Sequence, residues 1–463
     1  MKTTLTYVVI IALASLGIYA ILSAGSTLMP VDLHVAPTQP RHTTSLLDHL
    51  VQPLSLLLLQ IIVITVAARA LGWLFTKWGQ PAVIGEMLAG IMLGPSLLGW
   101  LAPQAQGFLF PTSAMGALQL FSQLGVILFM FLIGLELDLE SLYHQAHSAL
   151  LISHVGIVLP FALGVTLSLM IYPLTAPEGI PFSGFALFMG VAMSITAFPV
   201  LARIIEQRGL SGSKLGNLVI ACAAVDDVTA WCLLAVVVSI VQAGGLIEAV
   251  VTIGLAIAFT LSMLLVVRPW LRRRMQNVAE KSSLPNILIF VFASALFTEA
   301  IGIHALFGAF LAGVVLHPPK TLFEKITENV RPFTTFLLPL FFAFTGLRTQ
   351  IGLLGDWQGW LLCGAIIAVA IAGKLGGASL AARYTGLDWR ESLSIGALMN
   401  TRGLMELIVI NIGYDLGILS GRVFAMMVIM ALTTTIMTGP TLSIIEHWRN
   451  RQEAQIPEKN III

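Results

Sequence analysis

The sequence predicts an all-α, polytopic integral membrane protein, and three observations carry that prediction. Only 10% of its residues are charged, where a soluble domain carries roughly 25%. Its mean hydropathy is +0.93. Mostly apolar stretches of about 20 residues, the length needed to cross a bilayer, recur along nearly all of its 463 residues. A surface so poor in charge excludes a soluble multidomain enzyme. The 24 Lys and Arg against 23 Asp and Glu, a net charge of +1, form no basic stripe for nucleic acid.

Fourteen spans are expected. The first, over 7–24, stands apart within an N-terminal segment 1–50. Lys2 precedes its apolar run and small residues follow at Ser23-Ala24-Gly25, so it reads as either a retained helix or a signal segment. A polar external loop over 25–50 follows. A transmembrane domain over 51–443 then holds thirteen core spans. Six lie at 54–75, 83–99, 113–135, 149–172, 183–205 and 215–242, and one at 246–267. Six more lie at 285–300, 303–317, 332–347, 358–382, 391–412 and 421–443, before a short cytoplasmic tail, 444–463.

Basic residues orient this set. Seventeen Lys and Arg fall on one side. Three (Arg41, Arg348, Arg422) fall on the other and four (Arg69, Arg203, Lys374, Arg402) within or at the ends of spans, which accounts for the 24. The rich side is cytoplasmic and holds both termini. The inside loop 136–148 departs from the pattern, with Glu136, Asp138 and Glu140 and no Lys or Arg.

One span between two sets of six turns the second set upside down relative to the first. That is the arithmetic of an inverted-topology repeat, 54–242 and 285–443 about a linker 246–267. Local chemistry agrees. The fifth span of the first set contains Ser194-Ile195-Thr196-Ala197-Phe198-Pro199, where proline inside a helix removes a hydrogen bond and clashes with the preceding turn. The fifth span of the second contains Asn400-Thr401-Arg402-Gly403, poor helix formers at mid-span. Matched interrupted spans point to a transporter's binding site.

Charge inside the spans is the strongest chemical signal. Asp226 and Asp227 are adjacent in an otherwise apolar helix. Each intramembrane charge costs at least about 2.5 kcal/mol, so it faces a partner or an aqueous cavity. Neighbours on a helix point about 100° apart, so one aspartate can pair while the other faces a cavity. Lys374, among small residues in Ala372-Gly373-Lys374-Leu375-Gly376-Gly377, is the natural partner. Arg402 and Glu406, spaced i, i+4, can pair with each other. Glu86 and Glu299 are candidates for lining a gate or for structural hydrogen bonds. Arg69 and Arg203 are expected to snorkel, and His304 and His317 to lie at interfaces. Cys222, Cys232 and Cys363 sit in apolar runs without a CxxC pair and read as small apolar filler. Gly90 and Gly94, a GxxxG pair, favour close helix packing. Rossmann, Walker A and HExxH patterns are absent from the sequence.

Several stretches together resemble the monovalent cation:proton antiporters of the second cation:proton antiporter family. They are Gly85 to Pro95, Phe131 to Glu136, Ser194 to Arg203, Val225-Asp226-Asp227, His304 to Gly313 and Met399 to Leu404. The last looks especially like the plant-type cation/proton exchangers. The resemblance implies the NhaA-type fold, a homodimer, and an elevator-like core moving against a dimerisation domain. It also implies that the broken spans near Thr196 and Thr401 cross beside the aspartates. Asp227 would be the main carrier of ion and proton, and Asp226 would lie near Lys374. Kef-type relatives carry a C-terminal nucleotide-binding domain, which this sequence is expected to lack, so nucleotide regulation in cis is not expected.

On this reading no cofactor is expected; Na+ or K+ and H+ are cargo. A buried carboxylate is neutralised by a proton or a cation competing for the same oxygens. Hard monovalent cations want oxygen ligands: Asp227, oxygens around Thr196, and water. A bacterial cell membrane is the expected location, with an internal membrane such as the thylakoid the alternative. A cation channel or a non-transporting sensor on the same scaffold is the rival function. An intramembrane aspartyl protease would need its two aspartates on different helices.

Overall fold

A computed structural model describes residues 52–136, 146–210, 213–242, 246–278, 284–316 and 318–453. The expected N-terminal span 7–24, the loop 25–50, Asp138, Glu140, His317 and the tail beyond Glu453 lie outside the described residues. Helices α1 (Pro53–Lys77), α2 (Ala82–Leu93), α3 (Met115–Glu136) and α4 (Ala146–Thr175) come first. A divided span follows as α5 (Phe182–Ser194) and α6 (Phe198–Gln207), then α7 (Lys214–Gln242). The expected linker is α8 (Leu246–Ser262), continued by a π-turn over Met263–Val267 into α9 (Arg268–Val278). Then come α10 (Leu284–Ala300), α11 (Ala305–Leu316), α12 (Lys320–Arg348) and α13 (Trp357–Ile371). A π-turn over Ala372–Gly376 joins α13 to α14 (Gly377–Tyr384). The second divided span is α15 (Trp389–Met399) and α16 (Leu404–Asp415), and α17 (Gly421–Glu453) closes the order.

Each of the thirteen expected core regions is helical. Among the described residues, nine helical stretches are long and apolar enough to cross a membrane, and Phe182–Ser194, Leu284–Ala300 and Ala305–Leu316 are shorter apolar helices. The chain is thus an integral membrane protein. The region 391–412 falls short because its break leaves pieces of 11 and 12 residues. The expected span 332–347 is the end of a longer helix, since α12 begins at Lys320 on a polar, charged stretch.

The helices sort into two groups by packing. In one, α1, α2 and α3 pack with α10, α11 and α12; in the other, α4 to α7 pack with α13 to α17. Glycine sets the first group's closest approaches. A side chain at Gly90 would run into the backbone of Ala343 on α12, and one at Gly346 into that of Met87 on α2. The pair α3 and α11 repeats this relation: Gly134 lies against the Phe310 backbone and Gly313 against that of Phe131. Lipid offers no hydrophobic drive between helices, so such close contact supplies the attraction. Gly94, the other half of the predicted GxxxG pair, also faces α12, at Leu347.

Candidate functional site

The two interrupted spans meet at their breaks. The α5 helix stops at Ser194, and Ile195 is extended (φ −80°, ψ 139°). The backbone N–H of Ala197 donates to the carbonyl of Thr401 at 3.0 Å, and Thr196 Oγ1 donates to the carbonyl of Met399 at 2.9 Å. Each break therefore supplies hydrogen bonds the other lacks. Thr435 Oγ1 donates to the Arg402 carbonyl at 2.6 Å, and Thr401 Oγ1 to Thr438 Oγ1 at 3.2 Å, tying the second break to α17. Asn400 Oδ1 is buried without a hydrogen-bond partner among the described residues.

The first interrupted span is broken as expected, and Pro199 lies in the first turn of α6 rather than in the break itself. A first-turn N–H has no intrahelical partner to lose, and the fixed φ of proline suits a helix start. The break over Ile195–Ala197 precedes it.

A helix end inside a membrane leaves carbonyls that need donors. At the end of α5 they receive two cations. Arg402 donates from Nη1 to the Ala192 carbonyl at 3.1 Å and from Nη2 to the Met193 carbonyl at 2.5 Å. Lys374 Nζ donates to the Ser194 carbonyl. Positive charge also suits the negative end of the helix dipole. Arg402 lies in the break rather than on a helix, yet its Nη1 still reaches Glu406 Oε1 at 3.1 Å, and both side chains are fully buried.

The aspartates divide as adjacent helix residues must. Asp226 is fully buried and pairs with Lys374 Nζ at 2.6 Å through Oδ2. Its Oδ1 accepts from Ser153 Oγ on α4 at 3.1 Å. Asp227 is 1% exposed, and neither of its oxygens has a hydrogen-bond partner among the described residues. Trp231 Nε1, one turn further on the same helix face, is likewise buried and unpartnered. Lys374 sits in the π-turn over Ala372–Gly376. That turn lies close to α4, where a side chain at Gly373 would come within 2.8 Å of Pro160 Cα. Ser153, and the capping work of Lys374 and Arg402, were not anticipated. A hydroxyl in an apolar helix was the available hint for Ser153.

Two clefts separate the helix groups. One, about 250 Å³, is lined by Glu86 and Val83 of α2, Phe129 of α3, Phe342 of α12 and Val200 of α6. The other, about 260 Å³, has Gln119, Glu299 and His304 facing Val238, Ile412 and Asp415. Beside it Arg348 of α12 pairs with Asp415 of α16 and donates to Asn411 Oδ1 at 3.2 Å. Glu299 Oε2 also accepts the Ala305 N–H at 2.8 Å at the start of α11, so it both lines the cleft and caps a helix. Arg69 is exposed, as snorkelling requires; the side chain of Arg203 is outside the described residues. Cys222 and Cys363 are buried, and Cys232 is exposed.

Interrupted spans meeting beside buried, unmatched charge are the architecture of a secondary membrane transporter. Comparison with known proteins makes this specific. The sequence profile of the transmembrane sodium/hydrogen exchanger family matches residues 61–448, and the chain belongs to that family. It is 44% identical over 394 residues to the Na(+)/H(+) antiporter NhaS4 of Synechocystis, covering 84% of this chain and 96% of that protein. It is 38% identical to Cation/H(+) antiporter 18 of Arabidopsis thaliana and 34% identical to K(+)/H(+) antiporter 1 of Saccharomyces cerevisiae. Those matches cover 84% and 85% of this chain, which spans only 49% and 46% of those longer proteins. The sodium proton antiporter MjNhaP1 of Methanocaldococcus jannaschii shares the fold, with a TM-score of 0.63, 13% identity, and 86% of this chain and 98% of that one covered.

Proposed function

We propose that this protein is a secondary active antiporter that exchanges a monovalent cation, Na+ or K+, for protons, with Asp227 as the carrier. The single observation that carries the reading is a buried carboxylate with neither oxygen engaged among the described residues, beside the crossing of two broken helices. The relatives named above are Na+/H+ and K+/H+ antiporters by name. Burial of a bare charge is expensive, so Asp227 crosses between the two faces carrying a proton or a cation. That rule couples the two flows without any further device. Asp226 is engaged twice already, by Lys374 and Ser153, and acts as the anchor of Lys374. The Thr196 hydroxyl spends its hydrogen on Met399, and its lone pairs remain for a cation. Glu86 lines the approach from one cleft.

The packing supports an inverted repeat. The contact of α2 with α12 has its counterpart in that of α11 with α3, and glycines stand at corresponding places in each. The clefts between the two helix groups support an elevator in which α4–α7 and α13–α17 move against α1–α3 and α10–α12. The family resemblance supports an NhaA-type arrangement of thirteen core spans, assembly as a homodimer, and residence in a bacterial inner membrane with both termini cytoplasmic.

Competition for one carboxylate fixes the sign of the pH dependence. Lower pH fills Asp227 with protons, so the apparent KM for the cation rises as pH falls. In the limit where the protonated form dominates it rises about tenfold per pH unit. Initial rates of cation uptake into proteoliposomes, with pH set equal on both sides, measure this. A KM that stays constant while the maximum rate changes would argue for separate proton and cation sites.

A further inference from the structure

Trp231 is 3% exposed, and its indole N–H has no hydrogen-bond partner among the described residues. A buried indole N–H usually finds one. The preceding turn of the same helix holds a group in the complementary condition, the buried carboxylate of Asp227 with neither oxygen engaged among the described residues. Residues four apart on a helix share a face. Helical side chains lean toward the N-terminus of their helix, so the indole of Trp231 covers the turn that begins at Asp227. The same face of α7 continues to Val238, about 16 Å beyond Asp227 along the helix axis. There it lines the cleft that holds Gln119, Glu299 and His304. Trp231 therefore stands between Asp227 and that cleft.

The two groups are matched in chemistry. An ionised carboxylate only accepts hydrogen bonds, and an indole N–H only donates. They are not bonded to each other, so a molecule that accepts from one and donates to the other fits between them. The N–H cannot itself ligate a cation, because it would turn its positive end toward the ion. Water meets both demands and has a lone pair left over. We infer that Trp231 is a positioning residue for the transported ion: its Nε1–H holds a water molecule against Asp227, and that water becomes one of the cation's oxygen ligands. One hydrogen of the water goes to one Asp227 oxygen. The cation takes the other oxygen together with the free lone pair of the water, and so binds with part of its hydration shell. The inference rests on Asp227 being the carrier and adds the group that orients the ion there.

The test is the cation dependence of exchange by the full-length protein in liposomes, at about pH 8 on both sides. Trp231→Phe removes the donor and keeps an aromatic ring. The apparent KM for Na+, or for K+ if that is the ion exchanged, is expected to rise about two- to tenfold, the range that one lost hydrogen bond gives. The maximum rate stays close to wild type. Trp231→His returns the donor, since imidazole Nε2 occupies the ring position of indole Nε1 and the ring is neutral at that pH. It is expected to bring the KM back toward wild type although it is no larger than phenylalanine. Equal KM values in these two variants would trace the effect to lost volume and overturn the inference, as would a wild-type KM in Trp231→Phe. Trp231→benzothienylalanine puts sulfur in place of the N–H in a ring system of nearly the same shape. It keeps the packing and decides the matter if the smaller side chains do not fold: a raised KM is expected, and a wild-type KM overturns the inference. Asp227→Asn in the same assay separates the two readings. Exchange that survives it sinks the carrier assignment, whereas a silent Asp227→Asn beside a donor-free Trp231 variant of wild-type KM sinks only the role of Trp231.

Discussion

Asp227→Asn reduces cation-driven proton movement to the rate of protein-free liposomes and leaves the protein folded. Asparagine has nearly the same shape, so no cavity opens. It neither takes up the exchangeable proton nor offers a charge to balance a cation, so both halves of the cycle stop together. The fold survives because the Asp227 carboxylate makes no hydrogen bond among the described residues. Removing a buried, unpartnered charge relieves a desolvation cost, so thermal unfolding of Asp227→Asn in detergent occurs at or above the wild-type temperature. Loss of transport together with loss of folded protein would instead mark Asp227 as structural.

The opposite pattern is expected one residue earlier. Asp226→Ala or Lys374→Met alone leaves a fully buried charge without its partner, and breaking a buried pair in that way costs about 3–5 kcal/mol. Lys374 also caps Ser194, so its loss frees a helix-end carbonyl inside the membrane as well. Asp226→Leu combined with Lys374→Met removes both charges and recovers most of the stability. Ser153→Ala, which removes one hydrogen bond from Asp226, costs about 1–3 kcal/mol. Thermal unfolding of the four variants measures this. A double variant no more stable than either single would show that the pair is not the unit holding this part of the core. Adjacent aspartates on one helix thus have opposite mutational signs, because one is paired and the other is not.

Much of this was readable from residues alone. Scarce charge and recurring apolar stretches give the membrane class, and the helical regions fall where hydropathy puts them. That Lys374 pairs with an aspartate was legible because few partners exist for a charge inside a span, whereas the choice of Asp226 came only from the family resemblance. The i, i+4 spacing gave the contact between Arg402 and Glu406, although Arg402 is not itself helical. What escaped was three-dimensional backbone accounting. The carbonyls of Ala192, Met193 and Ser194 become acceptors only because α5 ends there, and their donors lie some 180 to 210 residues away in sequence. Proline propensity flagged the interruption beside Pro199, but not that this proline begins the next helix instead of sitting in the break. The π-turn under Lys374 has no signature beyond its glycines, because its shape is set by packing on Pro160 rather than by local preference.

One measurement tests the central claim most directly. The purified protein is reconstituted into liposomes holding an internal pH dye, with equal pH on both sides. Na+, K+ and Li+ are then added outside in turn. The account predicts that at least one of these ions drives proton efflux, with the interior becoming more alkaline. The response saturates with cation concentration and disappears in Asp227→Asn. Cation entry with no proton counterflow, or a flux that does not saturate, would contradict it and would make the same scaffold a channel.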